Sequence, residues 1–354
     1  MTLVRYAALA ASAAAICLAA AAPAPPAAAP APPPPSAAEA AGHPSEVSLS
    51  DTRRIAFVSQ VNGHGYSIDV ALPSVPPPPK GYPVIYLFDG DGYFGSMAEA
   101  VRMNGNAPQA IVVGIGYPHD AAWPKTVLDK HQPLAPAYAA APPHDAAAGL
   151  ARMYDLTLPA SEETLKAASG GVLTVRPQDV GGIDELLKTI ETDIKPRVYA
   201  LAPVDKSNQT LFGHSLGGLA VVEALFTEPQ AFRTFVAASP SIWWGDEAVL
   251  KHEAAFDAAI TSGQAAPRVL ITVGSEEETL PALPPSMAAQ KAVIEAMIKK
   301  DRMVGNACDL AKRLQALHGA AGYQVADCAV FAGQQHGISP WPAMGRAVSF
   351  AFPQ

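Results

Sequence analysis

Gly213-His214-Ser215-Leu216-Gly217-Gly218 contains the pattern G-x-S-x-G, the nucleophile elbow in which a sharp strand-to-helix turn lifts a serine hydroxyl over the edge of a sheet. A serine hydroxyl attacks an ester carbonyl only when a base takes its proton. Such a pattern is short enough to arise by chance, so its flanks decide its weight. Thr210-Leu211-Phe212 precedes it as a strand-like apolar run, and Leu219, Val222, Leu225 and Phe226 follow at helical spacing. Side chains at Gly213 or Gly217 are expected to collide with the neighbouring strand or the helix start.

In this fold the base lies downstream of the serine, after an acid. The chain has 9 histidines. His336 is the expected base because Gly333-Gln334-Gln335-His336-Gly337 follows the last strand-like segment and enters a C-terminal helix, Trp341 to Phe350. His318 directly follows the helical stretch Asp309 to Leu317 and is expected to face solvent, while His214 should point away from Ser215 as a packing or pocket residue. The orienting acid is sought after the strand Arg268 to Val273, where Gly274-Ser275-Glu276-Glu277-Glu278 supplies consecutive carboxylates. A charge run is ordinarily a solvated face, and two of the three must be that; Glu277, the third residue after Gly274, is chosen over Glu276 and Glu278. The order Ser215, Glu277, His336 is the α/β-hydrolase order, not that of chymotrypsin or subtilisin.

An oxyanion hole needs two backbone donors. Leu216, after the serine, is one; Asp91 in Phe88-Asp89-Gly90-Asp91-Gly92 is the expected other, with a plain Asp-Gly turn as the alternative. Trp243 and Trp244 follow the strand after the elbow helix, where they can reach a pocket mouth or fill the core. No His/Cys/Asp cluster has ligand spacing, so neither a metal nor an organic cofactor is expected.

These residues need a scaffold. Arg54 to Val61 and Tyr66 to Leu72 alternate like antiparallel strands around Asn62-Gly63-His64-Gly65. Pro83 to Phe88 and Ala110 to Ile115 are continuous apolar runs of the kind buried parallel strands show, with a short helix at Ser96 to Arg102 between them. The pattern resumes at Thr210 to Phe212, Thr234 to Ala238, Arg268 to Val273 and Tyr323 to Phe331. The class is therefore α/β with a mostly parallel sheet flanked by helices. From about His119 to Gly181 periodicity is poor, and this stretch is expected to be a lid-like cover.

Residues 1–22 combine Arg5, an apolar run Leu9 to Leu18 and small-residue cleavage sites, the pattern of a secretory signal. Residues 23–46 are mostly Pro and Ala and read as an extended linker, leaving 47–354 as the catalytic domain. A periplasmic or secreted protein without stable membrane insertion after signal cleavage is expected. Its net charge of −8 and lack of a basic stripe argue against nucleic acid. Cys308 and Cys328 would share an oxidising compartment; a disulfide and two buried thiols are both open.

Five stretches together resemble the α/β-hydrolase esterases that include enterobactin and salmochelin esterases: Tyr86 to Gly90, Arg152 to Thr157, Gly181-Gly182 through Pro196, Leu211 to Leu219, and Ala238-Ser-Pro-Ser-Ile-Trp-Trp244. The likeness spans about Val47 to Phe352, and the Ser-Pro-Ser-Ile-Trp-Trp stretch with the elbow is more specific than the elbow alone. The resemblance implies acyl-enzyme hydrolysis of a small-molecule ester or lactone, with ferric siderophore trilactones as the leading substrates. Asp89, Arg152, His214, Trp243 and Trp244 are the expected pocket residues. Members of that branch resemble Ser-His dyads with a weak or absent acid, which leaves the role of Glu277 open. A general carboxylesterase, a secreted acyltransferase and an inactive hydrolase-like binding module are the competing readings. The acidic chain is a poor attractor for an anionic ferric siderophore.

Overall fold

The computed structural model describes residues 48–105, 109–118, 143–169, 175–280, 289 and 291–353. The expected leader and linker, and residues 119–142 and 170–174 of the expected cover, lie outside them. The chain divides into Met1–Ser48 and Leu49–Gln354, and the second unit holds every element below.

A hairpin, β1 (Thr52–Val58) and β2 (Gly65–Ala71), opens one sheet, which continues through β3 (Tyr82–Leu87), β4 (Ile111–Gly116), β5 (Val204–His214), β6 (Thr234–Ala238), β7 (Arg268–Gly274), β8 (Gln324–Val325) and β9 (Ala329–Phe331). The spatial order is β1-β2-β4-β3-β5-β6-β7-β8, with β9 also on β7. β1 and β2, and β2 and β4, pair antiparallel, and every other pair is parallel. The apolar runs are continuous because both faces are covered. In β3, Val84 and Tyr86 join one core cluster while Ile85 and Leu87 join the other, as strand alternation requires. Each such side chain contributes about 1.5–3 kcal/mol by leaving water. Helices α1 (Gly90–Arg102) and α7 (Pro340–Ala351) cover the Ile85 face through Met97 and Val101, and Met344 and Val348. The elbow helix α4 (Leu216–Thr227) lies on the other face.

The stretch 119–181 is less irregular than expected where it is described. It forms α2 (Pro143–Asp155) and α3 (Glu162–Ser169). In α2, Ala147, Leu150 and Ala151 are buried at helical spacing. Alanine is the best helix former but its methyl adds little to a hydrophobic pattern, so periodicity under-reads such a helix. Ser161 begins α3 by accepting the Thr164 N–H at 3.2 Å, an N-cap bond.

Other elements depart from expectation. β5 begins at Val204, well before the expected Thr210, through a polar stretch that carries no apolar run. α1 starts at Gly90, not Ser96, because Asp89 turns left-handed (φ 55°) immediately after the strand. The single strand expected over Tyr323 to Phe331 is broken into β8 and β9. Cys328, in the break, is bridged to Cys308 on α6 (Met303–Gln315), with the Cα atoms 5.2 Å apart. The bridge ties α6 to the segment that leads into the His336 loop. Its 20-residue separation corresponds to about 3 kcal/mol of loop-closure entropy. Urea unfolding of a Cys308→Ala/Cys328→Ala protein should therefore show a stability loss of that order; equal midpoints with and without the bridge would contradict it.

Candidate active site

Ser215 sits between β5 and α4 with φ 61° and ψ −119°, a conformation that costs energy for any residue with a Cβ. Packing around the turn enforces it. A Cβ at Gly213 would lie 2.1 Å from the Gly217 carbonyl oxygen, and one at Gly218 would lie 2.7 Å from that of Ala238. Gly217 is less constrained than expected: its nearest neighbour would be the Phe88 Cβ at 3.2 Å. The Ser215 N–H donates to the Ala238 carbonyl at 3.0 Å, which ties the elbow to β6.

Ser215 Oγ is 2.9 Å from His336 Nε2, and His336 Nδ1 is 2.6 Å from Glu277 Oε2. A carboxylate only accepts, so Nδ1 carries the proton and Nε2 accepts from the serine hydroxyl. The Glu277 side chain is wholly buried, whereas the imidazole is 41% exposed. Glu277 Oε1 also accepts the Gly274 N–H at 2.7 Å and the Ser239 hydroxyl at 2.6 Å. Burial would raise its pKa, but His336, Ser239 and Gly274 outweigh burial and hold the carboxyl below its ordinary value. The other two carboxylates turn elsewhere. Glu276 is exposed at the cavity wall, and Glu278 accepts the Gly305 N–H at 2.9 Å in the first turn of α6.

Behind this row is a set of polar residues that sequence reasoning missed. Ser239 is fully buried in a left-handed conformation (φ 43°), and its Oγ lies 2.9 Å from Ser339 Oγ. Ser339 donates to the His336 carbonyl at 3.1 Å and lies 3.4 Å from His214 Nε2. Ser239 stands within the Ser-Pro-Ser stretch, which was the available signal; nothing marks Ser339. His214 is buried with its ring centroid 4.6 Å from that of His336. Burial, and secondarily the neighbouring His336, push its pKa down to about 3, so it stays neutral.

On the β3 side, Asp89 is held bidentately by Arg152 of α2, at 2.6 and 2.8 Å. Burial would lower the guanidinium's pKa, but Asp89 outweighs it and holds the group above its ordinary value. A Cβ at Gly217 would lie 3.6 Å from Asp89 Oδ2, so the β3–α1 junction abuts the elbow. Leu216 and Asp91 both lie in the first turn of a helix, where N–H groups have no intrahelical acceptor. The left-handed residue of the junction is Asp89 and not a glycine beside Asp91. The Asp91 carboxylate accepts the Tyr117 N–H at 3.0 Å.

The Esterase family profile, described as "Putative esterase", matches residues 163–324. Ferri-bacillibactin esterase BesA of Bacillus subtilis (strain 168) is 34% identical over 317 residues, covering 88% of this chain and 92% of BesA. The chain belongs to this esterase family. The siderophore triacetylfusarinine C esterase of Aspergillus fumigatus is 29% identical over 277 residues, 73% of this chain and 82% of that protein. The crystal structure of BES protein from Bacillus cereus superposes with a TM-score of 0.66 at 26% identity, covering 88% of this chain and 98% of that one. The α/β-hydrolase fold and ester-bond hydrolysis expected from the sequence are those of this family.

A cavity of about 310 Å³ opens onto Ser215 and His336 of the esterase, walled by Ser241, Trp243, Ile298 and Met303 together with Glu276 and Asp301. Trp243 and Asp301 also wall an adjoining groove of about 500 Å³. Of the expected pocket residues, Trp243 lines this cavity; Asp89, Arg152 and His214 do not. Trp244 is corrected to the core. It is 5% exposed, and its indole N–H donates to the Leu158 carbonyl at 3.0 Å, because consecutive residues of this turn face different ways. Asp301 and Met303 carried no sequence signal. Among the described residues no His/Cys/Asp/Glu group is arranged to hold a metal, and no helix is long and apolar enough to cross a membrane.

Trp243→Leu should raise KM for an activated ester several-fold with little change in melting temperature, whereas Trp244→Leu should cost about 3 kcal/mol of stability; the opposite assignment of effects would refute the placement. A second expectation concerns pH. The folded-state pKa of His214 lies below its unfolded value, so the unfolded chain binds the extra proton and stability falls as pH drops below about 6.5. With the native value at about 3, His214 contributes about 2 kcal/mol of loss between pH 7 and 5. Denaturant titrations at both pH values should show a His214→Gln protein with a shallower loss than wild type by that amount.

Proposed function

We propose that the esterase cleaves its ester through an acyl-enzyme on Ser215, with His336 as base and Glu277 as orienting acid. The observation that carries this reading is the continuous row of hydrogen bonds from Ser215 Oγ through His336 to buried Glu277, open to a cavity. Ser215 Oγ attacks the carbonyl carbon while its proton passes to His336 Nε2. Glu277 then faces an imidazolium, which a charge held 2.6 Å away stabilises. The N–H groups of Leu216 and Asp91, both at helix starts, would hold the oxyanion. Collapse breaks the acyl C–O bond, and His336 returns the proton to the departing alcohol. Water repeats the cycle: its proton goes to His336, and the acid leaves as Ser215 is regenerated.

The substrate assigned here is an ester of an iron-chelating siderophore. Its support is that BesA and the Aspergillus fumigatus relative are both named for siderophore esters. We further assign the enzyme to the periplasm or the secreted fraction, on the signal-like pattern of residues 1–22 and on the Cys308–Cys328 bridge, which fits an oxidising compartment.

Ser215→Ala should lower kcat on the order of 10⁴-fold or more, and His336→Ala nearly as much, with the double variant no worse than either because the two act as a unit. Glu277→Gln should cost on the order of 10²-fold or more, while Glu278→Gln changes the rate only a few-fold. Equal small effects at both glutamates would sink the three-residue mechanism and leave a Ser-His dyad. The substrate is tested by following ferric and iron-free triester siderophores by mass spectrometry beside short p-nitrophenyl esters. Turnover confined to the short esters would make the protein a general carboxylesterase. Transfer to an added alcohol in preference to water would make it an acyltransferase.

A further inference from the structure

Ser215 and His336 mark the cavity between β7 and helix α5 (Lys291–Asp301) as a place a substrate arm occupies, and its acidic residues decide only what that arm can be. Glu276 and Asp301 are its charged walls besides Glu277, whose carboxylate is already committed to His336. The groove that shares Trp243 and Asp301 adds Glu163, Asp246 and Glu247 against one cation, Lys300. Among the described residues, then, the approach to the proposed nucleophile is strongly negative, and the chain as a whole carries −8.

Asp301 is the most telling of these groups. It is the last residue of α5, where the helix dipole opposes a negative charge. It is half-buried, and burial pushes its pKa up to about 6. Among the described residues no hydrogen bond or ion pair reaches its carboxylate: the adjacent Arg302 turns instead to Asn306 and Asp309, both at 3.1 Å, Lys299 is bound to Glu295, and the charge of Lys300 offsets the burial only in part. Two unfavourable contributions thus fall on one incompletely compensated carboxylate in the cavity of the proposed nucleophile, the kind of arrangement that functional sites retain and stability alone does not. Trp243 lines both cavities with it, and an indole face attracts a cation as a carboxylate does.

We propose that the cavity accepts a substrate arm bearing a cationic group, an ammonium or guanidinium held at Asp301 against Trp243, and disfavours arms bearing negative charge. This rests on the reading of Ser215 and His336 as the reacting pair. It restricts the siderophore class to esters whose arms are neutral or cationic and sets aside polyanionic ferric chelates as preferred substrates.

The test uses two series of matched esters with arms of equal length ending in ammonium, methyl or carboxylate, one series varied in the acyl arm and the other in the alcohol arm. In at least one series kcat/KM should rank ammonium over methyl over carboxylate, by about tenfold or more between the extremes. Asp301→Asn should shrink the ammonium-to-methyl ratio in that series toward one and, by relieving the helix end, should leave the melting temperature equal or higher. Glu276→Gln, at an exposed position, should shrink it less. Turnover of the methyl esters without charge preference in either series, or a preference for carboxylate, overturns the inference and leaves the hydrolytic mechanism standing. A preference that survives Asp301→Asn in a folded protein overturns the assignment to Asp301. Absence of turnover on every ester fails the catalytic reading and takes the inference with it.

Discussion

One buried carboxylate organises this molecule. Glu277 cannot remain ionised inside the protein unless donors surround it, and its three donors come from three different places: the end of β7 at Gly274, the turn after β6 at Ser239, and the loop before α7 at His336. Satisfying that single charge fastens the ends of two strands to the loop carrying the proposed base. Ser339 extends the same fastening to the start of α7. The position of His336 is therefore not the independent choice of one loop but the consequence of one electrostatic requirement, while glycine packing around the elbow sets Ser215.

Backbone strain gathers along the same edge. Asp89, Ser215 and Ser239 are all non-glycine residues with positive φ, and each lies within two residues of the end of a parallel strand, β3, β5 or β6. A sheet buried on both faces leaves these carboxyl ends as the place where the chain must turn sharply toward a helix or loop, and open α/β sheets bind ligands there. The strain is sustained because the turns are packed from below: Gly213 and Gly218 leave no room for a Cβ.

The two sides of the proposed nucleophile differ in charge. Beside the elbow, the Arg152 guanidinium and Asp89 cancel one another in a bidentate pair. The cavity side is acidic, and among the described residues the Asp301 carboxylate at the end of α5 has no hydrogen-bond or ion-pair partner. On the inference drawn above, the acidic wall selects substrate arms by charge, while the apolar side chains of Trp243, Ile298 and Met303 and a volume of about 310 Å³ restrict their size less.

Much of this was legible in the amino-acid sequence. The strands β3, β4, β6 and β7 read directly because burial on both faces demands unbroken apolar runs, whereas of β5 only Thr210 to Phe212 was legible, its polar first half being half-buried or exposed; the elbow read directly because a turn that tight needs its glycines. The order of Ser215, the glutamates and His336 follows from chain direction alone. Tertiary structure decided the rest. Three consecutive glutamates are indistinguishable in sequence, yet in a turn they point in three directions, and only contacts with Gly274, Ser239 and His336 separate Glu277 from its neighbours. Trp243 and Trp244 part in the same way, one to the cavity and one to the core. α2 was hidden because alanine builds helices without marking them, and Asp301 and Ser339 because their roles exist only when distant segments meet. Local sequence records what a residue needs from its neighbours in the chain; it does not record what packs against it from far along the chain.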